Sequence, residues 1–130
     1  MKWITHLVCA FCFVYIISLF IPISYAGFML ALICSIAPDY LEVVLRIKHR
    51  GVYLHNWMIP ILTIPLIVNP TLAGFPLGYG HHLALDSITK NGVYIGSKKK
   101  IRGHLYALNP VHNAAIILLH CVALMFFLTS

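Results

Sequence analysis

Residues 72–89 read Leu-Ala-Gly-Phe-Pro-Leu-Gly-Tyr-Gly-His-His-Leu-Ala-Leu-Asp-Ser-Ile-Thr. The first two thirds suit a lipid bilayer, and the last third does not. On a helix His82 and Asp86 share one face, with Cβ atoms roughly 6 Å apart. Ionisable groups at membrane depth are expensive and usually mark function. The whole chain holds three acids, Asp39, Glu42 and Asp86, so their placement decides both fold and chemistry.

Composition widens the reading. The 130 residues are 61% hydrophobic and 9% charged, with mean hydropathy +0.90. A soluble domain carries about a quarter charged residues, so the expected class is an all-α, polytopic transmembrane bundle forming a single integral membrane domain. Five apolar segments can be drawn, at about 3–21, 23–37, 52–68, 72–88 and 113–128, with prolines at 22, 38, 60, 65 and 70 breaking or ending them. Several fall short of the ~20 residues of a full span, which predicts short, tilted helices. The first run exceeds the h-region of a signal peptide. It is read as an uncleaved span rather than a leader ending at Ser24-Tyr25-Ala26.

Charge fixes the orientation. Every Lys and Arg lies at the N-terminus, in the 38–51 loop or in the 89–112 loop, and five spans place those three regions on one side. The positive-inside rule makes that side cytoplasmic, with the C-terminus outside a cell membrane. The net charge of +6 then reflects orientation and anionic lipid. Nucleic acid is not expected as a partner, since only Lys98-Lys99-Lys100-Ile101-Arg102 would favour it. Cys9, Cys12, Cys34 and Cys121 all sit in apolar runs and read as small apolar side chains.

The same topology gathers His6, Asp39, Glu42, His49, His55, His82 and Asp86 near the cytoplasmic edge. Imidazole nitrogen with carboxylate oxygen is the ligand set of zinc, manganese or iron hydrolytic sites. Taken singly, each residue has a plainer role. His82 and Asp86 can be a hydrogen-bonded pair, Asp39 a turn or cap residue, and Glu42 is expected to pair with Arg46 at i,i+4. His81 is expected to face away from His82, and His120 to be an interhelical structural residue. Bland causes do not explain why all three acids converge on one face.

The ordered set His6, Ser35-Ile36-Ala37-Pro38-Asp39, His49-Arg50-Gly51 with His55, and Gly78, His82, Asp86, Thr89, Gly92-Val93 resembles the YdjM-like membrane-bound metal-dependent hydrolases of bacteria and archaea. The resemblance covers roughly residues 1–95 and is most specific in the last block. Two spacings depart from the family pattern. Glu42 stands one position beyond the usual second acid of the P-D-x-D turn, and His55 lies one residue further from His-Arg-Gly. The resemblance implies a divergent branch with a metal site.

The expected function is metal-assisted hydrolysis of a phosphoester or lipid-like amphiphile at the cytoplasmic face. Zinc is the first choice of metal, held by His6, Asp39, His49 or His55, His82 and Asp86. Asp39 or Glu42 would act as base, and Arg50, Lys98, Lys99, Lys100 and Arg102 would attract an anionic headgroup. The alternatives are a non-catalytic subunit of a membrane complex, or homo-oligomer, built round a structural metal or His/Asp cluster, and an ion or proton carrier. A carrier needs polar groups across the membrane, and only His120, Thr63 and Ser18 continue the line.

Overall fold

Small residues at four-residue spacing set how the helices pack. Two of them, Gly74 and Gly78, lie on one face of a helix, and a Cβ at either would stand 2.0 Å from a backbone oxygen, of Gly27 and Ala31 respectively. Only glycine lets two helices approach with backbones in contact, the small-xxx-small arrangement common between membrane helices.

The computed structural model describes residues 1–130, and the chain is mostly helical. Helix α1 is Trp3–Ser18, α2 Tyr25–Cys34, α3 Ala37–Val44, α4 Met58–Thr63, α5 Gly74–Ser87 and α6 Pro110–Thr129. A 3₁₀ segment, Ile64–Val68, continues α4, with Pro65 in its first turn. The chain passes between two ends five times. Thr5 bonds Asn113 at one end, while Phe20 meets Phe127 at the other, so α1 and α6 run parallel. Ser24 bonds Thr71 at the far end and Ser35 bonds His82 at the near end, so α2 and α5 run together in the opposite sense.

Length separates the helices. Only α6 is long and apolar enough by itself to cross a membrane, and α2 with α3 makes a second candidate, bent by 52° at the break. Helix α1 and the 58–68 segment are apolar but shorter, and α5 rises only about 21 Å at 1.5 Å per residue. Of the predicted bundle, the helical architecture is therefore present. The full set of spans is not met by length, because prolines and paired glycines keep the middle helices short.

Two segments expected as loops are ordered otherwise. The 38–51 region begins with α3, where Pro38 occupies a first-turn position that needs no N–H. The 89–112 region carries an antiparallel hairpin, β1 Val93–Ile95 and β2 Lys99–Ile101, paired Val93 to Ile101 and Ile95 to Lys99. Gly92 enters it at φ +63°, and a Cβ there would meet Ile101 O at 2.1 Å. The apolar core is small. Cys34, Tyr79, Leu83 and Val93 form one cluster, and Met1, Cys9 and Leu85 a second. Most of α6 faces outward.

Candidate metal centre

The α2–α5 packing carries the chemistry. Gly27, Ala31, Ser35 and Asp39 repeat every fourth residue, and so do Gly74, Gly78, His82 and Asp86. Gly74 lies on Gly27 and Gly78 on Ala31. One turn further, His82 Nδ1 donates to the Ser35 carbonyl at 2.7 Å. A turn beyond that, the Asp39 and Asp86 carboxylates come within 4.8 Å of each other. Backbone contact at one end thus delivers two acids and an imidazole to the other.

His55 completes the group from the connection between α3 and α4. Tyr79 Oη donates to Leu54 O at 2.6 Å, and β1 grips the other side through Tyr94 N to His55 O at 2.8 Å and Trp57 N to Tyr94 O at 2.9 Å. Asp39, His55, His82 and Asp86 are all buried. His55 Nε2 lies 3.1 Å from His82 Nε2, 3.2 Å from Asp39 Oδ1 and 3.3 Å from Asp86 Oδ2. His82 Nε2 lies 3.9 Å from Asp39 Oδ1 and 3.6 Å from Asp86 Oδ2. Four ligands at roughly 2.1 Å from a tetrahedral ion stand about 3.4 Å apart.

Proton accounting makes the arrangement more than a cluster of neighbours. A carbonyl only accepts, so His82 carries its proton on Nδ1 and its Nε2 is a bare lone pair. His55 Nδ1 lies 2.8 Å from Glu42 Oε1, so its proton is there too. Asp39 Oδ1 and Asp86 Oδ2 have no hydrogen-bond partner. Four acceptors therefore converge on one point. Without a metal, His55 must hold a second proton. Burial works against that, but the hydrogen bonds to Asp39, Asp86 and Glu42 outweigh it and push the His55 pKa up to about 10. A single proton cannot serve three acceptors at once, whereas one divalent cation serves all four donors.

Glu42 has a different task from those expected. It does not pair with Arg46. Its oxygens accept from His49 Nδ1 at 2.9 Å, Arg50 N at 2.7 Å, Gly51 N at 3.2 Å and His55 Nδ1. Arg50 takes the left-handed conformation, φ +55°, which turns two successive N–H groups onto one carboxylate, an anion-holding nest. With its lone pairs engaged, Glu42 orients His55 rather than serving as a base. A carboxylate behind a metal-binding imidazole is the usual way to fix its tautomer.

The other predicted ligands sit beside the centre. His6 stacks on His82 with centroids 4.1 Å apart and reaches only the outer oxygen of Asp86, at 3.4 Å. That oxygen also takes the Met1 ammonium at 2.9 Å and Arg50 at 2.7 Å. His49 is bound to Glu42 and exposed, 4.0 Å from Asp39 Oδ1, so of the two histidines offered by sequence it is His55 that enters the group. Arg50 is buried and belongs to the centre, bonding Asp86 and the Thr89 hydroxyl. No family model, curated protein or solved structure matches the chain. Its site is accordingly read from its own geometry.

An open cleft of about 350 Å³ adjoins the centre, lined by His49, Arg50, Lys90, Asn91, Lys100 and Arg102. Lys98 and Lys99 are not among its walls. Strand alternation explains Lys99, because Lys100 and Arg102 share a face that Lys99 opposes, and Lys98 lies in the turn before β2. Lys90 and Asn91 were not anticipated. They follow α5 directly and are brought to the cleft when Lys90 N bonds Leu105 O.

Proposed function

We propose that this chain is a multi-pass membrane protein and a metal-dependent hydrolase, with a divalent ion held by Asp39, His55, His82 and Asp86. The observation that carries the metal is the convergence of four lone-pair donors without enough protons to hold them together. Two neutral imidazoles and two carboxylates balance a 2+ charge. Their near-tetrahedral spacing favours zinc, and manganese or iron accept the same donors. A metal at such a site lowers the pKa of a bound water and stabilises charge on a phosphoryl oxygen.

The substrate class is a phosphoester or lipid-like amphiphile reaching the basic end of the bundle. Two features support this. Five crossings alternate between an end that gathers every Lys and Arg and an end at 22–27 and 69–74 with none, which suits short spans in a bilayer with the basic end cytoplasmic. The cationic cleft also shares Arg50 with the centre, and its His49 lies 4.0 Å from Asp39 Oδ1. Water adds at phosphorus, the ester oxygen leaves with a proton as the alcohol, and the phosphate stays as the anion. Asp39, on the edge nearest His49, takes the proton-accepting role that Glu42 is too fully bonded to fill.

One observation favours a second reading. All four donors come from the protein and are buried, as in a structural site, and a subunit of a membrane complex needs no more. The test separates the two. Detergent-purified protein is analysed for metal and assayed against chromogenic phosphomonoesters and diesters. About one metal per chain, with turnover lost in Asp39→Asn, supports the hydrolase. Metal without turnover supports the structural site. Less than about 0.3 metal per chain, unchanged by His82→Ala, overturns both.

A further inference from the structure

The cleft beside the candidate metal centre is polar throughout and strongly basic. It is walled by His49, Arg50, Lys90, Asn91, Lys100 and Arg102 and has no apolar lining residue. No acid lines it either. Arg50 is paired with Asp86 behind the wall, while Lys90, Lys100 and Arg102 have no acidic partner. Of the carboxylates behind it, Asp39 stands with its Oδ1 4.0 Å from His49 Nδ1, and the other two are engaged elsewhere. Glu42 is filled by the 49–55 turn, and Asp86 by Arg50, His6 and the Met1 ammonium. Lys90 turns to the Tyr106 ring and hydroxyl, and Lys100 lies over the Tyr94 ring and donates to Asn91 O at 3.2 Å. Aromatic faces and a carbonyl hold these ammonium groups in place without cancelling their charge.

A second observation points to a ligand. Arg50 is 4% exposed, bonds Thr89 and Asp86 through its terminal nitrogens, and leaves Nε without a partner. A buried guanidinium donor rarely goes unpaired. The charges also crowd one another. The Lys100 ammonium lies below its usual range, through burial first and then the charges of Arg102, Arg50 and Lys48. The hairpin that carries Lys100 is stitched to the His55 turn by Asn56, whose side chain bonds both N–H and C=O of Gly96 at 3.2 Å. These bonds tie the hairpin wall of the cleft to the turn that carries His55.

We propose that this cleft is a binding site for a phosphate monoester dianion, seated by Lys100, Arg102 and Lys90 and passed by Arg50 towards the Asp39–His55–His82–Asp86 centre. The inference deepens the hydrolase reading and rests on it for the role of the bound group, but not for the binding itself. A dianion matches the uncompensated charge better than a singly charged diester, and Arg50 and Arg102 offer the forked donors that phosphate takes two at a time. A soluble phosphomonoester and the headgroup of phosphatidic acid present the same chemistry.

The experiment is calorimetric titration of the full chain in detergent with inorganic phosphate, alongside metal analysis of every variant. Lys100→Met and Arg102→Gln are each expected to weaken phosphate binding about tenfold with metal content unchanged, since a charge-assisted hydrogen bond of about 1.5 kcal/mol converts to that factor. Lys99→Met, on the opposite strand face, is expected to change it less than about twofold. Asp39→Asn is expected to empty the metal site and keep phosphate binding, which separates failure of this proposal from failure of the hydrolase reading. Nanodiscs with phosphatidic acid, and separately glycerol phosphate, then compete with phosphate to identify the source, and phosphatidylglycerol is expected not to. No phosphate binding, binding lost with the metal alone, or equal losses from Lys99→Met and Lys100→Met would each overturn the proposal.

Discussion

His81 and His82 are neighbours in sequence, and each meets another histidine nitrogen to nitrogen. His82 Nε2 is 3.1 Å from His55 Nε2, and His81 Nε2 is 3.2 Å from His120 Nε2. The first pair is ringed by carboxylates. The second lies between Phe13, stacked at 4.7 Å, and α6. His120 Nδ1 donates to Ile116 O, so its Nε2 accepts and His81 Nε2 donates. Two neutral rings then share one proton, and only His81 Nδ1 is left without a partner. In the first pair both rings spend a proton outward, so the inner nitrogens have none to share unless His55 takes up a second or a metal takes its place. Distance alone does not separate the two pairs, but the partners of the other ring nitrogens show which of them could offer lone pairs to a metal.

The sharpest way to break this contrast is to delete one member of each pair. His82→Ala is expected to lower zinc content from about one per chain to below about 0.1, because an imidazole ligand cannot be replaced by a methyl group. His81→Ala, one residue away, is expected to leave zinc content unchanged. Inductively coupled plasma analysis of both purified variants decides the matter, and equal losses would mean that His82 acts through packing.

The next largest effect tests how the donors are brought together. Gly78→Val would place side-chain carbon where the Ala31 carbonyl already stands. Helices α2 and α5 must separate, which moves Ser35 from His82 and Asp39 from Asp86. The expected outcome is loss of metal with a fall of several degrees in the detergent melting temperature, on the scale of about 1–3 kcal/mol for an overpacked contact. A variant that melts lower yet binds metal normally would detach the centre from the glycine seam.

That seam also shows what was legible beforehand. His82 and Asp86 could be read from their spacing and the helical class from composition, whereas of the five spans drawn from the basic loops only α6 and the bent α2–α3 pair have the length and apolarity to cross a membrane. The repeat at 27, 31, 35 and 39 was equally open to reading, because small residues at four-residue steps are a packing signal. Paired with 74, 78, 82 and 86 it gives both the parallel helix contact and the Asp39–Asp86 juxtaposition. Glu42 could not be read in the same way. Its i,i+4 neighbour Arg46 offered a local answer, and only the left-handed turn at Arg50 brings four donors round from further along the chain. The hairpin was hidden for a similar reason. Its strands are three residues each, too short for alternation to show, and two of the three residues in β2 are lysines, while Lys90 and Asn91 join the cleft through a backbone bond that no pattern announces.

A smaller change sharpens the comparison through Glu42. Glu42→Gln keeps one acceptor for His55 Nδ1 but removes the charge and turns a donor towards Arg50 N. Metal affinity is expected to fall about 10–100-fold, the usual cost of disturbing the partner behind a ligating histidine. Competition with a chelating dye measures it. His120→Leu in the same assay should read as unmutated protein.

The subtlest prediction concerns protons, and it separates the two pairs without any mutation. In the metal-free chain His55 is held as a cation, with its pKa pushed up to about 10 against the opposing effect of burial. A metal needs that lone pair, so binding must release the proton. Between about pH 7 and 9 zinc affinity should therefore rise about tenfold per pH unit, once corrected for zinc hydrolysis and buffer. Calorimetry in two buffers of different ionisation enthalpy should count about one proton released per zinc bound. Stability carries the matching sign. A raised folded pKa contributes stability that is complete below about 6.5, the ordinary histidine value, and is lost as pH climbs through about 10. The metal-free protein should thus soften on the alkaline side, while the zinc-loaded protein, whose His55 has no such proton, should not. The His81–His120 pair exchanges no proton with a metal and adds nothing to either slope. Zinc binding that is independent of pH would mean that His55 is already neutral, and the carboxylates would then have to be holding the proton instead.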